Sequence, residues 1–66
     1  MERFELFTVR NNRNHTVGVE TDSFDYLFAL ALTHATMDDK GLAAIYPENG
    51  APQLACVFAD GQVRRY

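Results

Sequence analysis

One segment of this 66-residue chain carries the spacing of a helix, and the segments on both sides of it have the composition of β-strands. Apolar residues recur at the i, i+3, i+4, i+7 and i+8 positions of one stripe: Phe24, Leu27, Phe28, Ala31, Leu32 and Ala35. Such a stripe predicts a helix that buries one face. Asp22 and Ser23 are good N-cap residues, and Asp25 falls in the first turn, where a negative charge favours the helix dipole. The helix is therefore expected to begin at Phe24.

The segment before the helix has the pattern of a β-hairpin. Arg3–Arg10 mixes aromatic, β-branched and charged residues without helical spacing, and His15–Glu20 is rich in β-branched residues. The asparagines in the run 11–14 tolerate turn geometry. We therefore expect two antiparallel strands, with Gly18 marking a bulge or a close contact.

Three further strands are predicted after the helix. The run 38–41 ends the helical pattern, with Gly41 a candidate for a left-handed position. Turn signals then divide the rest of the chain into strands at 42–46, 53–59 and 62–66, with turns at 47–52 and 60–61. The order β-β-α-β-β-β in one domain of residues 1–66 predicts an α+β fold, a single antiparallel β-sheet with one α-helix packed on one face.

The aromatic residues fall into two groups. The phenylalanines are expected to fill the core: Phe4, Phe7, Phe24, Phe28 and Phe58. The tyrosines, Tyr26, Tyr46 and Tyr66, are expected at the edge of the core, where a ring with a polar tip suits an interface. The second face of the helix also lacks charge, since Tyr26, Ala29, Leu30 and Thr33 occupy it. That face predicts contact with the sheet, with a loop, or with another molecule.

The amino-acid composition disfavours several kinds of site in this chain. Cys56 is the sole cysteine, so no intrachain disulfide forms, and one cysteine with two histidines is a poor zinc site. No run approaches the roughly 20 apolar residues of a membrane span. These features predict a soluble cytoplasmic protein without metal or cofactor. Ser23, His15, His34 and Cys56 lack sequence-local partners that would impose a mechanism, so we expect a protein that is not an enzyme.

Charge is segregated along the chain. Residues 18–48 hold six acids against Lys40, a net of −5, and the flanks carry a net of +2. The acids are Glu20, Asp22, Asp25, Asp38, Asp39 and Glu48. Such a one-signed field steers association, although it also serves solubility. The flanking arginines favour cross-strand pairs with Glu2, Glu5 or Asp60 over nucleic acid, because a pI of about 5.1 disfavours direct nucleic-acid binding.

In length, in its sheet-plus-helix order, in its single cysteine and in this acidic cluster, the chain resembles the anti-CRISPR proteins that bacterial viruses use, with a type I-C effector complex as the candidate target. The resemblance implies a non-enzymatic inhibitor acting in the host bacterial cytoplasm. Its carboxylates would imitate DNA phosphates and occupy a basic nucleic-acid channel of an effector subunit. The contacts expected on this basis are the six acids together with Tyr26, and the leading four are Asp22, Asp25, Asp38 and Asp39.

An alternative from another class remains open at this point. The uncharged second face of the helix, with Tyr26, Ala29, Leu30 and Thr33, also predicts a small homo-oligomeric structural or accessory module that packs on its own copy. The sequence is equally compatible with a monomer and a homodimer.

Overall fold

The computed structural model describes residues 1–48 and 50–66. One antiparallel sheet carries a single helix on one face, which confirms the predicted α+β fold and element order. The elements are β1 (Glu2–Arg10), β2 (Arg13–Thr21), α1 (Phe24–Ala35), β3 (Leu42–Pro47), β4 (Ala55–Phe58) and β5 (Val63–Arg65). The predicted turn at 47–52 includes Asn49, which lies outside the described residues.

A two-residue turn fixes the first hairpin. Asn11 and Asn12 have φ angles of 52° and 60°, the left-handed values that a type I′ turn requires and that asparagine tolerates. The strands therefore extend further than predicted, and they pair without a break from Glu2 opposite Thr21 to Arg10 opposite Arg13. The expectation at Gly18 was wrong, because the register has no bulge there and an added Cβ would meet no atom within 4 Å.

The sheet has the order β2-β1-β3-β4-β5, and every neighbouring pair is antiparallel. Two strands therefore separate β1 from β5. This order excludes the predicted pairing of the C-terminal arginines with Glu2 or Glu5. Asp60 instead accepts a hydrogen bond from the Gln62 backbone N–H at 3.0 Å, within its own turn.

The helix begins where the sequence predicts it. Ser23 is the N-cap, and its hydroxyl accepts a hydrogen bond from the Tyr26 backbone N–H at 3.2 Å. The helix buries Leu27, Ala31 and Ala35 against the sheet. Leu32 is exposed, contrary to the predicted stripe, because it lies on the side of the helix that turns away from the sheet.

The core is aliphatic rather than aromatic. Its buried members are Phe4, Leu6, Val19, Leu27, Ala31, Ala35, Ala43, Ile45, Ala55 and Val57. Only Phe4 of the five phenylalanines is buried; Phe28 and Phe58 are half-buried, and Phe7 and Phe24 are exposed. The prediction of a phenylalanine core was wrong because Phe7 points to the sheet face without the helix and Phe24 lies at the end of α1. The three tyrosines are exposed, as expected.

Gly41 is needed for close packing rather than for a left-handed backbone. The glycines with positive φ are Gly50 and Gly61, both outside the strands. A Cβ at Gly41 would clash with the carbonyl oxygen of Ala35 and crowd those of Asp38 and Val9. The predicted left-handed position at Gly41 was therefore wrong, but the requirement for glycine there is real.

Candidate partner-binding end

The sheet topology separates the predicted acidic cluster into two groups. Glu20, Asp22, Asp25 and Glu48 lie at the end where β1 starts and β2 and β3 finish. Asp38 and Asp39 lie at the opposite end, after the helix. A twelve-residue helix, about 18 Å long at 1.5 Å per residue, spans the distance between them. The six acids therefore do not form one continuous surface.

Arg3 links two of the acids at the first end. Its Nε lies 2.8 Å from a Glu20 carboxylate oxygen, and its Nη1 lies 3.7 Å from one of Glu48. All three side chains are about half exposed, so these ion pairs stabilise the fold by at most about 1 kcal/mol. These contacts join two carboxylates across β2, β1 and β3.

Asp22 and Asp25 have different local settings. The Asp22 Oδ1 accepts a hydrogen bond from the Glu2 backbone N–H at 3.2 Å and lies 3.8 Å from the α-amino group of Met1. Asp25 stands in the first turn of α1, as predicted, where the helix dipole favours its negative charge. Both side chains are exposed. The start of the helix therefore presents two carboxylates to solvent.

We call this region the acidic end; its carboxylates are Glu2, Glu20, Asp22, Asp25 and Glu48. Arg3 and Arg65 are the basic side chains there, since Arg65 and Asp25 line the same groove. Five acids against two arginines leave −3, which equals the formal net charge of the whole chain. The opposite end, which we call the balanced end, holds Asp38, Asp39 and Asp60 against Arg10, Arg13 and Lys40, and the charges of Glu5 and Arg64, on the strands between the two ends, cancel each other. The net negative charge of the protein therefore lies at one end.

At the balanced end, Asp38 has a structural contact. Its Oδ2 accepts a hydrogen bond from the Asn11 backbone N–H at 2.7 Å, and its Oδ1 accepts one from the Lys40 N–H at 3.4 Å. The Asn11 bond, a side-chain bond with Asp39 and the Lys40 bond together hold the pKa of Asp38 below its usual value of 3.8. Asp38 is half-buried and accepts two backbone bonds, whereas the carboxylates of the acidic end are exposed.

Two exposed aromatic rings accompany the carboxylates of the acidic end. Phe24 is 55% exposed and Tyr26 is 53% exposed, and they flank Asp25 in sequence. Beside them, a groove of about 330 Å³ runs between the start of α1 and the last strand. Its walls include Phe24, Phe28 and Arg65, and the Arg65 guanidinium lies 4.9 Å from the centre of the Phe28 ring. Aromatic rings among charges are typical of protein-binding surfaces.

Cys56 and His34, two of the residues considered for catalysis, do not meet. Cys56 is buried on the sheet face without the helix, whereas His34 belongs to α1 on the other face. The sheet therefore separates the only cysteine from this histidine. Burial raises the pKa of the Cys56 thiol, and Arg64 offsets part of that increase. Within residues 1–48 and 50–66, no three histidine, cysteine or acidic side chains are grouped as metal ligands.

Three members of the acidic end were missed by the sequence interpretation. Glu2, Arg3 and Arg65 were assigned to the basic flanks because they lie far from the acids along the chain. The asparagines at 11 and 12 could have indicated the positions of Glu2 and Arg3. A two-residue loop there fixes the hairpin register, which sets Glu2 opposite Thr21 and Arg3 opposite Glu20. Arg65 had no such signal, because its position depends on the order of β3, β4 and β5.

Comparisons with known proteins return no match to a protein-family profile, to a curated protein or to a solved structure. None of the helices described is long and apolar enough to cross a membrane. The functional interpretation consequently depends on the geometry and charge of the acidic end.

Proposed function

We propose that this protein is a non-enzymatic inhibitor that binds a basic, nucleic-acid-binding protein through its acidic end. The observation that carries the proposal is the location of the entire net charge of −3 at one end of the fold. A solubilising surface has no need of such an arrangement, because charge spread over the molecule serves solubility equally well. Phe24 and Tyr26 add exposed rings that can pack on a protein partner.

The mechanism we propose is imitation of DNA phosphates. A channel lined with lysine and arginine attracts any rigid array of negative charge, and this attraction also raises the rate of association. Occupation of the channel by Glu20, Asp22, Asp25 and Glu48 would exclude nucleic acid. The resemblance to anti-CRISPR proteins makes a subunit of a CRISPR effector complex, of type I-C, the candidate partner.

Rigid presentation supports this proposal. Asp25 is held on a capped helix, and Arg3 bridges Glu20 and Glu48 through exposed ion pairs. Groups that are already ordered in the free protein lose little conformational entropy on binding, so more of their interaction energy becomes affinity. Asp38 and Asp39 were expected among the leading contacts. In this proposal they contribute only if the channel of the partner extends along the whole helix.

Affinity capture from a bacterial lysate that contains a CRISPR effector would test the proposal. Captures at about 50 mM and about 500 mM salt should differ, because the higher salt screens long-range charge attraction. We expect an effector subunit with a basic nucleic-acid channel to be recovered at low salt and lost at high salt. Recovery of the chain alone at both salt concentrations would contradict the proposal.

One observation favours the second candidate, a homo-oligomeric module that packs through the helix. Tyr26, Ala29, Leu32 and Thr33 are exposed and uncharged on the side of α1 away from the sheet. Leu30, which was expected on that face, packs against the core instead. Thr33→Glu would place a charge at the centre of this face. Loss of self-association in that variant would support the helix-mediated module.

A further inference from the structure

The sheet face opposite the helix is apolar at its centre and uncovered. We call it the open face. Ala44 and Cys56 lie at its centre, each 6% exposed, with Phe7 and Tyr46 exposed beside them and Phe58 half-buried. In the described part of the chain, the only helix packs on the other face. The open face therefore presents the rings of Phe7 and Tyr46 to solvent beside an apolar centre that is itself buried.

A shallow groove crosses one side of the open face. It has a volume of about 300 Å³ and is lined by Glu5, Phe7, Thr16 and Tyr46. Gly18, opposite Glu5 on β2, leaves open space beside this groove, since an added Cβ would meet no atom within 4 Å. A carboxylate between two aromatic rings suits a guanidinium or an ammonium group, through charge attraction and through contact with the ring faces.

A guanidinium of this chain stands on the other side of the same face. Register places Phe7, Ala44, Cys56 and Arg64 in one row across β1, β3, β4 and β5. Arg64 is exposed on this row, since its neighbour Arg65 points to the helix face and contacts Phe28. Three strand spacings of about 4.8 Å separate Arg64 from Phe7, so these groups do not meet within one molecule. The apolar centre thus has an acid-bearing groove on one side and an exposed arginine on the other.

We propose that the open face binds a second copy of this chain, with Arg64 of each copy in the groove between Glu5 and Phe7 of the other. The face is complementary to itself, because a two-fold axis that runs along the strands between Ala44 and Cys56 brings Arg64 opposite Phe7. The apolar centres then cover each other in aligned sheet packing. This inference does not depend on the proposed inhibitor function.

The dimensions of the molecule indicate that the dimer interface uses the whole open face. Standard interfaces bury roughly 800 Å² per partner, and a molecule of 31 × 21 × 19 Å has no face much larger than that. A stable dimer therefore has to include both sides of the apolar centre, which are the sides that carry Glu5 and Arg64. The proposed two-fold axis runs along the strands, so the strands of both copies point in the same direction. The dimer then places two acidic ends side by side.

Sedimentation velocity from about 10 µM to about 1 mM tests the proposal with a charge exchange. We expect the wild type to dimerise, Glu5→Arg and Arg64→Glu each to weaken the dimer at least tenfold, and the double variant E5R/R64E to recover most of that loss. Gly18→Leu should also weaken it by filling the groove, because the site leaves room for a side chain. Circular dichroism confirms folding of each variant, and Glu5→Gln replaces Glu5→Arg if the latter does not fold.

Thr33→Glu on the outer face of the helix is the matched control, and it should leave the dimer unchanged. A monomer throughout the concentration range would overturn the proposal. So would a dimer that Thr33→Glu dissociates, or one in which the two charge reversals do not rescue each other. None of these outcomes bears on the binding of a basic partner through the acidic end, so the two proposals fail separately.

Discussion

The Asn11 backbone N–H donates a hydrogen bond of 2.7 Å to the carboxylate of Asp38, which ties the turn of the first hairpin to the loop after the helix. Asn11 lies in the two-residue turn beyond the last paired residues, Arg10 and Arg13, so its N–H is outside the strand pairing. An acid that the sequence assigned to partner binding thus has a place in the fold. This contact is one reason why the acidic cluster divides into two groups with different roles.

Removal of the Asp38 carboxylate should destabilise the protein, whereas removal of its neighbour should not. Asp38→Ala leaves the Asn11 N–H without its acceptor, while Asp39→Ala removes an exposed side chain whose hydrogen bond is to Asp38 and leaves the Asn11 contact in place. We expect a lower urea midpoint for Asp38→Ala and a wild-type midpoint for Asp39→Ala. Equal midpoints for the two variants would show that the Asn11 contact does not stabilise the fold.

The same contact predicts a pH dependence. The pKa of Asp38 is lower in the folded protein than its usual value of 3.8, so its stabilising effect is complete above that value and is lost as the pH falls through the folded pKa. Urea unfolding between about pH 6 and pH 2.5 should show stability falling in the acidic part of this range. Asp38→Asn should show a smaller fall than the wild type.

Gly41 and Gly18 should respond in opposite ways to an added methyl group. Gly41→Ala forces a Cβ against three carbonyl oxygens and should cost about 1–3 kcal/mol of unfolding free energy. Gly18→Ala enters open space on an extended strand, so it should be neutral or stabilise by about 0.5–1 kcal/mol. Both values are measurable by urea unfolding. Tolerance of alanine at Gly41 would contradict the close packing of the loop against β1 and α1.

Two leucines of the helix provide a test of the core. Leu27 is completely buried, and Leu27→Ala should cost about 2–5 kcal/mol. Leu32 is exposed, so Leu32→Ala should change the unfolding free energy by less than about 0.5 kcal/mol. A large loss at Leu32 in the monomer would mean that another element covers the outer face of the helix.

Local sequence patterns were sufficient for the element order and for the start of the helix. Ser23 and the stripe through Leu27, Ala31 and Ala35 identify the helix because caps and periodicity are properties of neighbouring residues. Strand order could not be predicted from local patterns, because it depends on which apolar faces pack best over the whole sheet. For that reason the arginine pairs were wrong, and the positions of Phe7 and Phe24 were wrong as well.

In the acidic end, too, local patterns predicted some positions and long-range pairing determined the others. Asp25 was placed correctly in the first turn of the helix, because a helix start can be recognised from a few residues. The separation of Asp38 and Asp39 from the other acids follows from the length of α1 and the return of β3 beside β1. Glu2 joins the acidic end only through the hairpin register, which pairs it with Thr21, nineteen positions further along the chain. Long-range pairing, rather than charge along the chain, therefore determined the candidate site.

We propose that partner binding depends on where the negative charge lies and not on how much of it there is. Two double variants, each of which removes two charges, test this. Asp22→Asn with Asp25→Asn removes them from the acidic end, and Asp39→Asn with Asp60→Asn removes them from the balanced end. The measurement is the affinity of each variant for a purified type I-C effector complex, in competition with its target DNA at low salt. We predict a loss of at least tenfold, about 1.4 kcal/mol, for the first variant and less than threefold for the second. Equal losses for the two variants, or unchanged affinity in the first, would contradict the account.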